Sequence, residues 1–137
     1  MYGNPAIEYD GAQVRACSRQ LATVVTVTGD LNDVNLDKVS QYTKRFVLKE
    51  KPMVLDLSGV SSATSHIISL LSELDDACTA AGVEWSLIAS PAVSRAVHSF
   101  DARLELPTVE SVADALHNFA DAIAERRRLL PLLTKSA

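Results

Sequence analysis

Three short runs that are almost entirely apolar, LATVVTVTG (21–29), MVLDL (53–57) and VEWSLIAS (83–90), are each followed by a stretch whose apolar residues recur every three or four positions. Strands with no polar alternate face suit the middle of a sheet covered on both sides. Strand–helix–strand order then implies parallel pairing through right-handed crossovers. Ahead of them AIEYDGAQVRACS (6–18) reads as a further strand-like run, and together with the β-branched run that follows it predicts an antiparallel start.

The helical stretches are bounded by specific residues. Gly29-Asp30-Leu31-Asn32 closes the second strand, and Asn35 is expected to cap a helix with Leu36, Val39, Tyr42 or Thr43, and Phe46 on one stripe. Lys49 to Pro52 break that helix. A second spans roughly Ser65 to Ala81, with Ile67 or Ile68, Leu71, Leu74 and Cys78 on its buried face and Gly82 as its stop. Ser90-Pro91 starts a third, running to Phe100, with the serine capping and the proline in the first turn. Leu104 to Leu106 is expected as a brief last strand. Thr108 is expected to open a final helix with the face Val112, Leu116, Phe119 and Ile123. The order ββαβαβαβα predicts an α/β fold: a central, mostly parallel sheet of about five strands with an antiparallel N-terminal strand, packed by about four helices. Residues 1–124 form the expected domain and 125–137 a basic, leucine-rich tail, in which Pro131 is expected to interrupt the helix. Leu129, Leu130, Leu132 and Leu133 are costly to leave in water. They are expected to build a homodimer or an interface with a partner, or to fold back on the same chain.

Composition narrows the function classes. The longest apolar runs fall far short of the ~20 residues that cross a membrane, and MYGNPAIEYD lacks the basic start and apolar stretch of a secretory signal. A cytoplasmic location is expected, and Cys17 and Cys78, with no CxxC, read as two buried, reduced thiols. A net charge of −4 argues against direct binding of nucleic acid. His66, His98 and His117 lie on separate helices without metal-ligand spacing, and no phosphate-cradling glycine loop is present. Ser65, His98 and Asp56 can be drawn as a triad, yet no GxSxG frames a serine, and Asp56 is expected to hydrogen-bond a neighbouring backbone amide. No catalytic residue, metal or cofactor is therefore expected. A small hydrolase or nucleotide-binding protein is the weaker alternative.

Between MVLDL and the second helix the chain gathers Ser61, Ser62, Thr64 and Ser65. VTVTGDLN followed by a helix, then MVLDLSGV, a serine and an apolar helix, resembles the STAS domain of anti-sigma factor antagonists, a domain also found in the cytoplasmic tails of sulfate transporters. The resemblance covers roughly residues 7 to 122. It is carried by Gly29-Asp30-Leu31-Asn32 and Asp56-Leu57-Ser58-Gly59-Val60. It implies a non-enzymatic protein that binds an anti-sigma factor with serine kinase activity and is switched by phosphorylation at Ser65. The implied partner-facing residues are Gly29, Asp30, Asn32, Ser61, Ser62, Thr64, Ser65, His66 and Ser69. Where the family has an Asp-Ser-Ser/Thr-Gly motif this chain has Thr64-Ser65-His66-Ile67, with threonine in place of the acid and isoleucine in place of the glycine. Two alternatives stand beside the switch: Ser65 serves only as a helix cap, or the chain associates with its partner constitutively, without phosphorylation.

Overall fold

The first strand-like run folds back on itself. Asp10 and Gly11 both take positive φ (47° and 103°), the backbone a two-residue hairpin needs and one that Asp-Gly adopts at little cost. The run thus supplies two strands, β1 (Ile7–Tyr9) and β2 (Ala12–Ser18), instead of one. The computed structural model describes residues 6–19, 21–100 and 106–135. The side chains of residue 100 and of residues 129–135, and with them the association expected of the leucine tail, lie outside the described set, as do residues 104 and 105 of the expected last strand.

Then follow β3 (Thr23–Leu31), α1 (Leu36–Lys44), β4 (Met53–Ala63), α2 (Ile67–Ala81), β5 (Trp85–Ala89), α3 (Pro91–Phe100) and α4 (Val112–Lys135). The five strands lie in sequence order in one mixed sheet. The β1–β2 and β2–β3 pairs are antiparallel, and β3–β4 and β4–β5 are parallel. The chain passes β5 once more through a parallel bridge between Leu87 and Thr108.

Both faces of the central strands are covered, which is why their sequences lack a polar side. Val25, Val27, Leu55, Leu57 and Leu87 point into a core shared with Val39 of α1, Ile67, Leu71 and Leu74 of α2, and Val93 of α3. On the opposite face Ala115 and Phe119 of α4 cover Val24, Val54 and Ile88. Each buried aliphatic or aromatic side chain contributes roughly 1.5–3 kcal/mol, so these layers supply most of the driving force.

Helix ends depart from expectation at several places. Ser90 caps α3 as expected, its Oγ accepting the Val93 N–H at 3.2 Å, and Gly82 ends α2 with a left-handed φ of 69°. The last helix begins at Val112 and not Thr108, because Ser111 accepts the Asp114 N–H at 3.1 Å. It also continues through Pro131 to Lys135, where an interruption was expected. A proline removes one ladder bond, and a helix can absorb that by bending without ending.

The two thiols, both expected to be buried, sit in different surroundings, because Cys17 lies near the end of β2, which pairs with β1 only as far as Val14. Cys17 is half-buried and Cys78 is buried in α2, where desolvation, with the Asp75 carboxylate adding to it, pushes the Cys78 thiol up to about 11. Alkylation of the native protein at pH 8 should therefore add a single label, at Cys17. In denaturant both cysteines should react, and a doubly labelled native protein in intact-mass measurement would contradict this placement.

Candidate functional site

At one end of the sheet β3 and β4 run on together past the core, and the polar cluster sits there. β4 is longer than MVLDL, so Ser61 and Ser62 are strand residues and only Thr64 to His66 form the turn. Two register shifts, opposite Thr26 to Thr28 and opposite Gly29 to Asp30, each place an extra residue in β4, so that Asp30 stands beside Ser62. Glycine is required at position 29: its φ is +95°, and a Cβ there would lie 2.3 Å from the Gly11 carbonyl oxygen.

The hydroxyls are not equivalent. Asp30 Oδ1 accepts from Ser61 Oγ at 3.1 Å and Ser62 Oγ at 2.8 Å, tying both serines to one carboxylate. His66 is held by Asp33, a residue the sequence did not single out, and the Thr64 hydroxyl accepts the His66 N–H at 3.4 Å. Asp33 Oδ1 lies 2.8 Å from His66 Nδ1. Hydrogen bonds from His66 and then Thr64 hold the Asp33 carboxyl below its usual range, against a small opposing effect of desolvation. Ser65 is exposed, directly before α2, and no side chain caps that helix. Among the described residues the Ser65 hydroxyl has no hydrogen-bond partner. Ser69 is also exposed, in the first turn of α2.

Asn32 and Asn35 exchange the roles the sequence suggested. Helical bonding begins when the Asn32 carbonyl accepts the Leu36 N–H at 3.0 Å. Asn32 Oδ1 accepts the N–H groups of Val34 (2.9 Å) and Asn35 (3.0 Å), while Asn35 Oδ1 accepts the Asn32 N–H at 3.0 Å. This is a reciprocal box built from two asparagines. Asn35, expected as the cap, already has helical backbone and makes no capping bond. Its buried Nδ2 instead donates to three carbonyls, those of Tyr9 (2.9 Å), Asp10 (3.2 Å) and Asp30 (2.8 Å). The Asn32 side chain is thereby committed to the turn itself, and Val34 beside it stays 69% exposed.

The residues drawn as a triad are engaged elsewhere. Asp56 accepts from the Ser58 N–H at 3.0 Å and the Ser58 hydroxyl at 2.7 Å, the backbone partner expected of it. His98 Nδ1 faces the Ser94 carbonyl of its own helix at 2.8 Å. Among the described residues no group of three or more His, Cys, Asp or Glu is placed to hold a metal ion, and no helix is long and apolar enough to cross a membrane.

A mixed five-stranded sheet with four helices, ending in two turns stapled through Asp30 and Asp33, has recognisable relatives. The STAS domain family model matches residues 13–115, and the chain belongs to the STAS domain family. A protein named Osmosensory protein A, from Mycobacterium tuberculosis, is 47% identical over 143 residues, covering 98% of this chain and 89% of that protein. Solved structures share the fold. An anti-sigma factor antagonist from Mycobacterium paratuberculosis superposes with a TM-score of 0.70 at 22% identity, over 81% of this chain and 96% of that one. A STAS domain protein from Planctomyces limnophilus gives 0.65 at 16% identity, over 78% and 97%. The anti-sigma factor antagonist SpoIIAA in its unphosphorylated form gives 0.59 at 12% identity, over 83% and 96%.

Proposed function

We propose that this chain is a non-enzymatic anti-sigma factor antagonist that docks an anti-sigma factor through the β3–α1 turn and the start of α2, and that this partner's serine kinase activity ends the docking by phosphorylating Ser65. Family membership supports the general role, and anti-sigma factor antagonists of solved structure share the fold. The name of the 47% identical relative makes osmotic stress the first stimulus to try.

The observation that carries Ser65 is the inventory of hydroxyls. Ser61 and Ser62 donate to Asp30, and the Thr64 hydroxyl accepts the His66 N–H at 3.4 Å and lies beside the Asp33 carboxyl. A phosphate on Ser61 or Ser62 would be placed directly against a carboxylate. Ser65 is exposed and neither donates to a carboxylate nor caps α2. A phosphate there adds ~1.5–2 negative charges to a surface a partner must cover, and like-charge contact or desolvation across that interface costs several kcal/mol.

Incubation with the cognate kinase and ATP, followed by intact-mass measurement and fragment mapping, tests the reading. One phosphate is expected, on Ser65. Ser65→Ala should take up none and still bind the partner, and Ser65→Asp should bind more weakly. An unmodified mass under conditions that phosphorylate another substrate of the same kinase selects constitutive association instead. That second reading is favoured by one observation: the side chain in place of the motif's glycine, Ile67, is fully buried, so the turn differs from the family's motif in its packing as well as its sequence.

A further inference from the structure

The end of β4, the turn after it and the outer face of α3 enclose an open cleft of about 410 Å³. One wall carries the hydroxyls of Ser61, Ser62 and Ser65, and the other carries Arg95 and Ser99 of α3. Between them Ala92 and Ala96 keep the floor low, so among the described residues no bulky side chain stands between the serine wall and the arginine. Among the described residues lining the cleft, Arg95 is the only charged one. Asp30 and Asp33, the nearby acids, are occupied by Ser61 and Ser62 and by His66.

From this geometry we propose that Arg95 reads the modification within the same chain: a phosphate carried by Ser65 enters the cleft and is held by the Arg95 guanidinium. The inference rests on Ser65 as the acceptor and adds what receives the phosphate. A guanidinium presents N–H groups in a planar fork that matches two phosphate oxygens at once, whereas a lysine in its place offers a point charge. Modification therefore does more than add charge to the docking surface. It ties the start of α2 to α3 and draws Arg95 away from any acidic group of a docked partner. An aspartate at position 65 is shorter and carries one charge, so it should engage Arg95 poorly and imitate phosphorylation only in part.

The test uses the full chain with phosphoserine installed at position 65 during translation, which needs no kinase, in three backgrounds: native, Arg95→Ala and Arg95→Lys. Urea unfolding and the ¹⁵N resonance of the Arg95 Nε are the two readouts. In the native background the phosphate should favour the folded state about tenfold more than it does with Arg95→Ala, the size expected of a charge-assisted contact at an exposed site. Arg95→Lys should fall between them. The Arg95 Nε resonance should shift on phosphorylation and not on Ser65→Asp. Equal effects of the phosphate in all three backgrounds, with an unmoved Nε resonance, would overturn the proposal. Kinase labelling of Ser65 without this coupling leaves the acceptor reading standing and removes the clamp. Coupling in the installed phosphoprotein, where no kinase labels Ser65, keeps the clamp and removes the acceptor reading.

Discussion

Ile67→Gly should destabilise the domain by about 3–6 kcal/mol. Ile67 is fully buried in the core shared by the sheet and α1 to α3. Removing a buried isoleucine down to alanine costs about 2–5 kcal/mol, and glycine in place of alanine in a helix adds about 1 kcal/mol. Small domains hold only about 5–15 kcal/mol in total, so much of the stability would go. The single tryptophan, Trp85, is buried and donates to Asp75 Oδ1 at 2.9 Å, which makes its fluorescence a suitable probe of urea unfolding. A midpoint within 0.3 M of the native one, at the usual urea slopes of about 1–3 kcal/mol per M, would show that the Ile67 side chain contributes little. The large loss matters for function because glycine is what the family's motif has at this place. Restoring it would remove a core residue rather than merely loosen a turn.

Restoring the acid at position 64 meets a different obstacle. Thr64 lies beside the Asp33 carboxyl, which also holds His66. An aspartate at 64 would put two carboxylates together. The acid near this turn comes instead from the β3–α1 turn, from a residue 31 positions earlier than the threonine it contacts. The two departures from the motif are thus tied to their surroundings, one by packing and the other by charge.

Much of the architecture was legible because it depends on periodicity. The all-apolar runs of β3, β4 and β5 and the stripes of α1 and α2 follow directly from burial on two faces and on one. What escaped depends on partners distant in sequence. The Asp10-Gly11 hairpin carried a local signal, the Asp-Gly pair, that was passed over within a strand-like run. Ser61 and Ser62 read as part of the turn because they are polar, yet both belong to β4, and Ser62 pairs with Asp30 of β3 at the open end of the sheet. No local pattern marks Asp33 or Arg95. Asp33 matters only once β3 and β4 bring Thr64 and His66 to it, and Arg95 only once α3 faces the serines. Asn35 stood at the right place for a cap, but the bonds that define its role come from Tyr9 and Asp10, 26 and 25 residues away.

For that reason Asn35→Leu should be among the more damaging single substitutions near the site, lowering stability by about 2–4 kcal/mol. Leucine has nearly the same size, so the loss would come from hydrogen bonding. The carbonyls of Tyr9, Asp10 and Asp30 and the N–H of Asn32 would all lose their Asn35 side-chain partner, and leaving a buried polar group unpaired costs about 1–3 kcal/mol. Asn35→Asp separates this account from a simple packing effect. The carboxylate keeps an acceptor for the Asn32 N–H but faces three carbonyl oxygens, so its folded-state pKa should rise above the ordinary value of about 3.9. A raised carboxyl pKa makes folding less favourable as pH climbs past the unfolded value. The deficit of Asn35→Asp relative to the native protein should accordingly be larger at pH 7 than near pH 4, where the protonated acid can donate to one of the carbonyls. Asn35→Leu introduces no titrating group and should show the same deficit at both pH values. If the aspartate variant's deficit did not change with pH, the three carbonyls would not be what Asn35 holds, and the link between the β1–β2 hairpin and the docking turn would have to lie elsewhere.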